Sequence, residues 1–125
     1  MARVLLDSNV FLWWSASRKP LPPDIIRTIA EAEQPAISIV TPWELELKRN
    51  HGKVNLPKRL WDFLDEDGFT IVGIELADAL AAARLPLHHR DPFDRMTIAQ
   101  AIRRDLTIIT RDGEFAAYGV SVMMV

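Results

Sequence analysis

Five carboxylates have the residue type and the setting for metal chemistry: Asp7, Glu44, Asp91, Asp94 and Asp112. Asp7, Glu44 and Asp112 each follow an apolar, β-prone run, and Asp91 and Asp94 open a helix-like segment before the last of those runs. Four segments far apart in sequence are thus expected to aim acids at one edge of a sheet. Like charges held within a few ångströms repel and raise one another's pKa, a conflict that a divalent cation resolves. Hard cations such as Mg²⁺ and Mn²⁺ take oxygen ligands, and Mg²⁺ commonly keeps waters beside one or two carboxylates. A site of that kind activates water and offsets charge on a phosphate, the chemistry of phosphodiester hydrolysis.

Each acid also has an ordinary role. An Asp after a strand is most often a turn or N-cap residue. Glu44 stands three residues after Thr41 in a T-x-x-E capping-box pattern, and Asp91 caps a helix whatever else it does. The convergence of four segments on one predicted edge carries the expectation. Ser8 and Thr110 border the cluster and are expected to hydrogen-bond a carboxylate or a water, because no His–Asp partners point to a nucleophile relay. Arg90, Arg95 and Arg111 flank the acids, where a guanidinium suits either a phosphate oxygen or a salt bridge to a neighbour, with Arg95 the weakest candidate for substrate.

His51, His88 and His89 lack metal-ligand spacing and read as solvated loop residues. Trp13, Trp14, Trp43 and Trp61 fall on helix-like segments and read as packing residues, although Trp14 or Trp43, placed near the acidic edge, has a ring that suits base stacking. The five glycines form no phosphate-binding loop.

The elements that must position these residues follow from pattern. Arg3 to Leu6 reads as a strand, and Val10, Phe11, Trp13 and Trp14 follow at helical spacing. Asp24 to Glu33 is a helix with Ile25, Ile26, Ile29 and Ala30 on one face. Ala36 to Val40 reads as a strand buried on both faces, followed by a helix with Thr41 as cap and Pro42 at its first position. Lys58 to Asp67 is a helix ended by Gly68, Thr70 to Ile74 a strand, and Glu75 to Leu85 a helix stopped by Pro86. Asp91 and Pro92 open a helix to Arg104 whose buried face is Met96, Ile98, Ala99 and Ile102. Leu106 to Thr110 is a strand, Glu114 to Tyr118 a short helical piece, and Val120 to Val125 a last strand. Strands alternating with helices imply right-handed crossovers and a parallel sheet covered on both faces, a three-layer α/β/α sandwich whose ligands bind beyond the carboxyl ends of the strands.

The bulk numbers agree with one domain over residues 1–125: 49% hydrophobic and 26% charged residues are globular values. The chain has no cysteine, which excludes disulfides, thiolate metal sites and a cysteine nucleophile and is compatible with a reducing cytoplasm. The charge at Asp7 interrupts the N-terminal apolar stretch too early for a secretory signal or a membrane span, so neither is expected. The net charge of −2 gives no overall positive field for nucleic acid, yet with the five acids set apart, 15 basic residues face 12 acidic ones.

The segments LLDSNVFLWW, AISIVTPWELELKRNHGKV, HRDPFDRMTIAQA and LTIITRDGEFAAYGV resemble, in order and spacing, the PIN-domain family, specifically the VapC-type toxins of toxin–antitoxin pairs. The resemblance spans nearly the whole chain. It implies a PIN-like fold and a metal-dependent endoribonuclease that uses Mg²⁺ or Mn²⁺ on RNA, forms a homodimer and is held inactive by a cognate antitoxin. By position, the family's four acids fall on Asp7, Glu44, Asp94 and Asp112, with Asp7, Asp94 and Asp112 as metal ligands. Asp94 is preferred to Asp91 because DRMTIAQA matches the family's D-x-x-x-x-A helix start without a gap, which leaves Asp91, Ser8 and Thr110 as supporting residues or alternative ligands. Arg90 and Arg111 are the expected RNA-binding residues.

Two other readings compete. A receiver-like phosphoacceptor domain also gathers acids around Mg²⁺ at the end of a parallel sheet, but it calls for a Lys after the last strand, which Val120 to Val125 does not supply. A non-catalytic module would use an acidic groove only to dock a basic peptide.

Overall fold

The computed structural model describes residues 3–125. Its sheet has five parallel strands, β1 (Val4–Leu6), β2 (Ala36–Ser38), β3 (Thr70–Val72), β4 (Thr107–Thr110) and β5 (Val122–Met124), in the order β3-β2-β1-β4-β5. Five α-helices lie between β1 and β4, α1 (Ser8–Ser15), α2 (Pro23–Glu31), α3 (Val40–Asn50), α4 (Leu76–Arg84) and α5 (Pro92–Arg104), and a 3₁₀ segment over Gly113–Tyr118 joins β4 to β5. The expected α/β/α sandwich is the observed fold.

Alternation along β1 and β4 accounts for the layers, because successive strand residues face opposite sides of a sheet. Val4, Leu6 and Ile109 pack with Val10, Phe11, Ile25 and Ile29 from α1 and α2 on one face. Leu5 and Ile108 pack with Ile98 and Ala101 of α5 and with Phe115 on the other. Leu5, Leu6, Ile108 and Ile109 are fully buried, and each such side chain stabilises the fold by roughly 1.5–3 kcal/mol.

The strand order also fixes where a ligand can bind. From β1 the chain builds β2 and then β3 on one side, and returns to add β4 and β5 on the other. The connections diverge between β1 and β4, which pair in register from Val4↔Thr107 to Leu6↔Ile109. A crevice opens at the carboxyl ends of strands flanking such a switch point, and here those ends run directly into Asp7 and Thr110.

Several elements differ from the pattern reading. The segment Lys58 to Asp67 is not a helix but a single 3₁₀ turn over Leu60–Phe63, because Arg59 takes the left-handed conformation at φ 57° and interrupts any regular run. The second strand ends at Ser38, since the Ser38 hydroxyl accepts from the Val40 N–H and starts α3 early. Thr41 therefore lies inside the helix instead of capping it, and Pro42 is not its first residue. The third strand likewise stops at Val72. On α5, Ile98 and Ala99 are buried as expected, but Ile102 is 45% exposed.

Candidate active site

The acidic crevice is built from the ends of β1 and β4 and the starts of α1, α3 and α5. Asp7 leaves β1 in extended geometry and caps α1, its Oδ1 accepting from the Val10 N–H at 2.9 Å. Its Oδ2 accepts a short hydrogen bond from the Thr110 hydroxyl. That hydroxyl oxygen in turn accepts from the Asp112 N–H at 3.0 Å, so one Thr side chain ties the carboxylate after β1 to the backbone after β4.

Glu44 is held differently. Ser8 Oγ donates to its Oε1 at 2.8 Å, and Lys48 Nζ sits 3.1 Å from its Oε2. Ser8 has one hydroxyl proton, already given to Glu44, so the 3.0 Å contact between Ser8 and Thr41 has Thr41 as the donor. The alternative reading of Glu44 as a capping-box partner fails, since its side chain turns into the crevice toward Ser8, not back to Thr41.

Asp91 caps α5 as expected, with Oδ1 accepting from the Phe93 N–H at 2.8 Å and the Asp94 N–H at 3.2 Å. Asp94, in the first turn of the helix, lines the same cleft, and Asp112 Oδ1 accepts from the Glu114 N–H at 2.9 Å. Asp7, Ser8, Asn9, Glu44, Lys48, Asp91, Asp94 and Asp112 line a polar cleft of about 170 Å³. The structure thus gathers all five acids named from the sequence. At the opposite sheet end a second hollow is lined instead by Arg3, Glu33 and Arg104.

The electrostatics follow from this crowding. Burial, the neighbouring Asp91 and the charge of Glu44 push the Asp94 carboxyl up to about 7, although His89 beside it acts in the opposite direction. Asp7 is also raised, chiefly by burial; its hydrogen bonds from Thr110 and Val10 resist the shift, and Glu44 and Asp112 add to it. Burial holds the carboxyls of Asp7 and Asp94 above their ordinary values, and an oxygen-rich cleft that penalises ionisation in this way is the kind of setting that suits a hard divalent cation.

Two residues near the cluster escape the sequence reading. His89, expected in solvent, has Nε2 2.9 Å from Asp112 Oδ2 and 3.0 Å from Asp94 Oδ2, with its side chain only 15% exposed. Glu114 Oε2 lies 3.9 Å from the same nitrogen, and the atoms of His89, Asp112 and Glu114 lie within 4.8 Å of one another. Burial disfavours the charged imidazole, but the Asp112 hydrogen bond and the charges of Asp94, Asp112 and Glu114 prevail and raise its pKa. The sequence signal was the HHRDPFD run, in which His89 sits two residues before the helix cap, but spacing alone does not show which way a loop residue turns.

The basic residues separate. Arg95 is buried and neither pairs with an acid nor faces the cleft: its guanidinium donates to the carbonyls of Ala82, Leu85, Pro86 and His89. Arg90 is exposed. Arg111 lies 4.2 Å over the Trp13 ring and donates to the Pro20 carbonyl, outside the cleft lining. Trp43 is 60% exposed and meets the edge of Phe93, one residue from Asp94. Trp14 lies under Arg18 and away from the cleft, and Trp61 packs on Phe11 and donates to Glu46.

A sequence model of the PIN domain matches residues 4–120. The chain belongs to the PIN domain family. It is also 30% identical over 115 residues to Ribonuclease VapC22 of Mycobacterium tuberculosis, an alignment covering 90% of this chain and 88% of that protein. Among solved structures, this PIN domain superposes on a DNA-bound VapBC from Salmonella typhimurium with a TM-score of 0.72, at 18% identity over 99% of this chain and 98% of the other. A toxin-antitoxin complex from Klebsiella pneumoniae gives a TM-score of 0.68 at 21% identity, covering 97% and 96% of the two chains. At these identities the two structures speak to the fold. The family match and the VapC22 relationship speak to nuclease activity, and PIN nucleases use divalent metals.

Proposed function

We propose that this PIN domain is a metal-dependent endoribonuclease, the toxin of a toxin–antitoxin pair, hydrolysing RNA phosphodiester bonds at the cleft between β1 and β4. The observation that carries the reading is the delivery of Asp7, Glu44, Asp91, Asp94 and Asp112 from four segments to one cleft at the switch point of the sheet. Kinship with a ribonuclease of the VapC type supports the substrate class. Asp7, Asp94 and Asp112 would hold Mg²⁺ or Mn²⁺, and a cation there supplies the Lewis acidity that activates water and offsets charge on the phosphate.

The chain's own residues supply the positioning. Thr110 fixes the spacing of Asp7 and Asp112 through one hydroxyl, and the Asp91 cap holds the first turn of α5 from which Asp94 projects. Glu44, held by Ser8 and Lys48 in the cleft lining, would orient a water for attack. Exposed Arg90 is the basic residue we assign to the RNA backbone; the packing of Arg111 against Trp13 leaves it a lesser part.

A cognate antitoxin is the assigned protein partner, in keeping with the toxin–antitoxin complexes that share the fold. We assign the homodimer and the cytoplasm on family grounds; no helix of the described residues is long and apolar enough to cross a membrane. The receiver-like and peptide-docking readings are not favoured, since the PIN domain match covers residues 4–120. The test is cleavage of single-stranded RNA by purified protein with Mg²⁺ or Mn²⁺ and again in excess chelator. Cleavage that stops with the chelator and returns with the cation is expected, and undiminished cleavage in chelator would remove the carboxylate–cation mechanism.

A further inference from the structure

His89 is fixed with more care than a solvated loop residue needs. Its N–H donates to the Tyr118 hydroxyl at 2.6 Å, its carbonyl accepts from Arg95 Nη1 at 3.2 Å, and its ring meets the edge of Phe115 at 5.9 Å. Nδ1 accepts from the Asp91 N–H at 3.3 Å. In a neutral imidazole one nitrogen accepts and the other donates, so that contact leaves the proton on Nε2. Nε2 then donates to Asp112 Oδ2 at 2.9 Å and lies 3.0 Å from Asp94 Oδ2.

Those two oxygens come from different elements, one from the turn after β4 and the other from the first turn of α5. Among the described contacts, the His89 Nε2–H is the group within 3.0 Å of both. A direct ligand role for Nε2 does not fit this arrangement, because a metal-bound imidazole keeps its proton on the other nitrogen and donates it outward, whereas Nδ1 here is an acceptor.

Building on the nuclease reading, we propose that His89 is a positioning residue: its Nε2–H bridges Asp94 and Asp112 and sets the separation of the two carboxylates that take the cation. Outer donors of this kind orient ligand oxygens, and their loss typically costs about 10–100-fold in metal affinity. Glutamine offers an N–H donor at similar reach and alanine offers none, so the pair of substitutions separates donation from mere occupancy.

The experiment is isothermal titration of the full chain with Mg²⁺ and with Mn²⁺ for the unaltered protein, His89→Ala and His89→Gln, with far-UV circular dichroism confirming folding. The expected result is a 10–100-fold weaker affinity for both cations in His89→Ala and recovery of most of it in His89→Gln. Unchanged or tighter binding by His89→Ala overturns the inference, since it makes the histidine a bystander or a competitor of the cation. A loss confined to Mn²⁺, or an equal loss in the glutamine variant, also overturns it, because either points to the imidazole nitrogen as a ligand. If His89→Ala does not fold, the glutamine variant decides alone: affinity near the unaltered value supports donation, and a loss matching an absent donor contradicts it. An unaltered protein that binds neither cation would remove the nuclease reading itself; one that binds both, with affinities indifferent to His89, would remove the positioning role only.

Discussion

At the residue scale, the account turns on carboxyls that resist ionisation until a cation arrives. Asp7→Asn keeps the shape and the acceptor for the Val10 N–H but loses a metal-binding charge from a buried position. It should abolish cleavage while leaving the melting temperature unchanged or slightly raised, measured by thermal denaturation beside the activity assay. Wild-type rates in that variant would count against Asp7 as a ligand. Asp91→Asn should cost less activity than Asp94→Asn, because Asp91 is engaged by two backbone N–H groups as a helix cap whereas Asp94 faces the cluster; the reverse order would exchange their roles. The pKa shifts also predict a pH dependence. Asp94, raised to about 7, and Asp7 and His89, also raised, all hold protons more tightly in the folded protein than in the unfolded chain. Their contribution to stability is fully present below the unfolded values and is lost as pH rises through the folded ones. The cation-free protein should therefore lose on the order of 2 kcal/mol between pH 5 and 8, and Mg²⁺ should restore most at pH 8, where the ligands are ionised. Asp78 behaves oppositely: Arg104 and Arg103 lower its pKa, so its stabilisation is present above the ordinary carboxylate range and fails only in strong acid. Chemical denaturation across pH that shows rising stability from 5 to 8 without metal would contradict the site electrostatics.

At the element scale, legibility depended on whether a signal was local. Asp91 and Pro92 announce the start of α5, and VLL reads as a strand and AIS as a buried one from their composition, because capping, strand preference and burial are properties of a few consecutive residues. Thr41 was misplaced because two local rules competed, and the Ser38 hydroxyl captured the helix start before a T-x-x-E box could form. The path from Lys58 to Asp67 failed as a helix for a reason no periodicity reports, a left-handed Arg59. His89 and Arg95 were illegible for a shared reason: both depend on where the 86–90 loop folds back, and the guanidinium of Arg95 gathers that loop's carbonyls onto the end of α4. Arg95→Met should thus destabilise the fold by roughly 3 kcal/mol through the orphaned carbonyls and weaken cation binding through the displaced loop, although Arg95 touches neither acid nor cleft. Stability and cation affinity both at wild-type values would show that the loop holds itself.

At the scale of the whole molecule, the parallel order β3-β2-β1-β4-β5 brings Asp7 and Asp112 side by side although they are 105 positions apart, and the acids are useful only because the sheet reverses its direction of growth there. Large apolar side chains remain exposed on β3, α4 and the loop between them, among them Ile71, Ile74, Leu76 and Leu80. The assigned homodimer has material for an interface in these, and sedimentation at micromolar concentration should show a dimer; a monomer there would withdraw that assignment. Hydrolysis of RNA by water at a carboxylate–cation site leaves its signature in the chemistry of the cut ends. Water adding in line at phosphorus expels the ribose 3′-oxygen and leaves the 2′-hydroxyl a spectator, whereas acid–base ribonucleases use the 2′-oxygen as nucleophile. Mapping the ends of a defined RNA cut by the purified chain with Mg²⁺ should give 5′-phosphate and 3′-hydroxyl termini, and a 2′,3′-cyclic phosphate with a 5′-hydroxyl as the primary product would contradict the account.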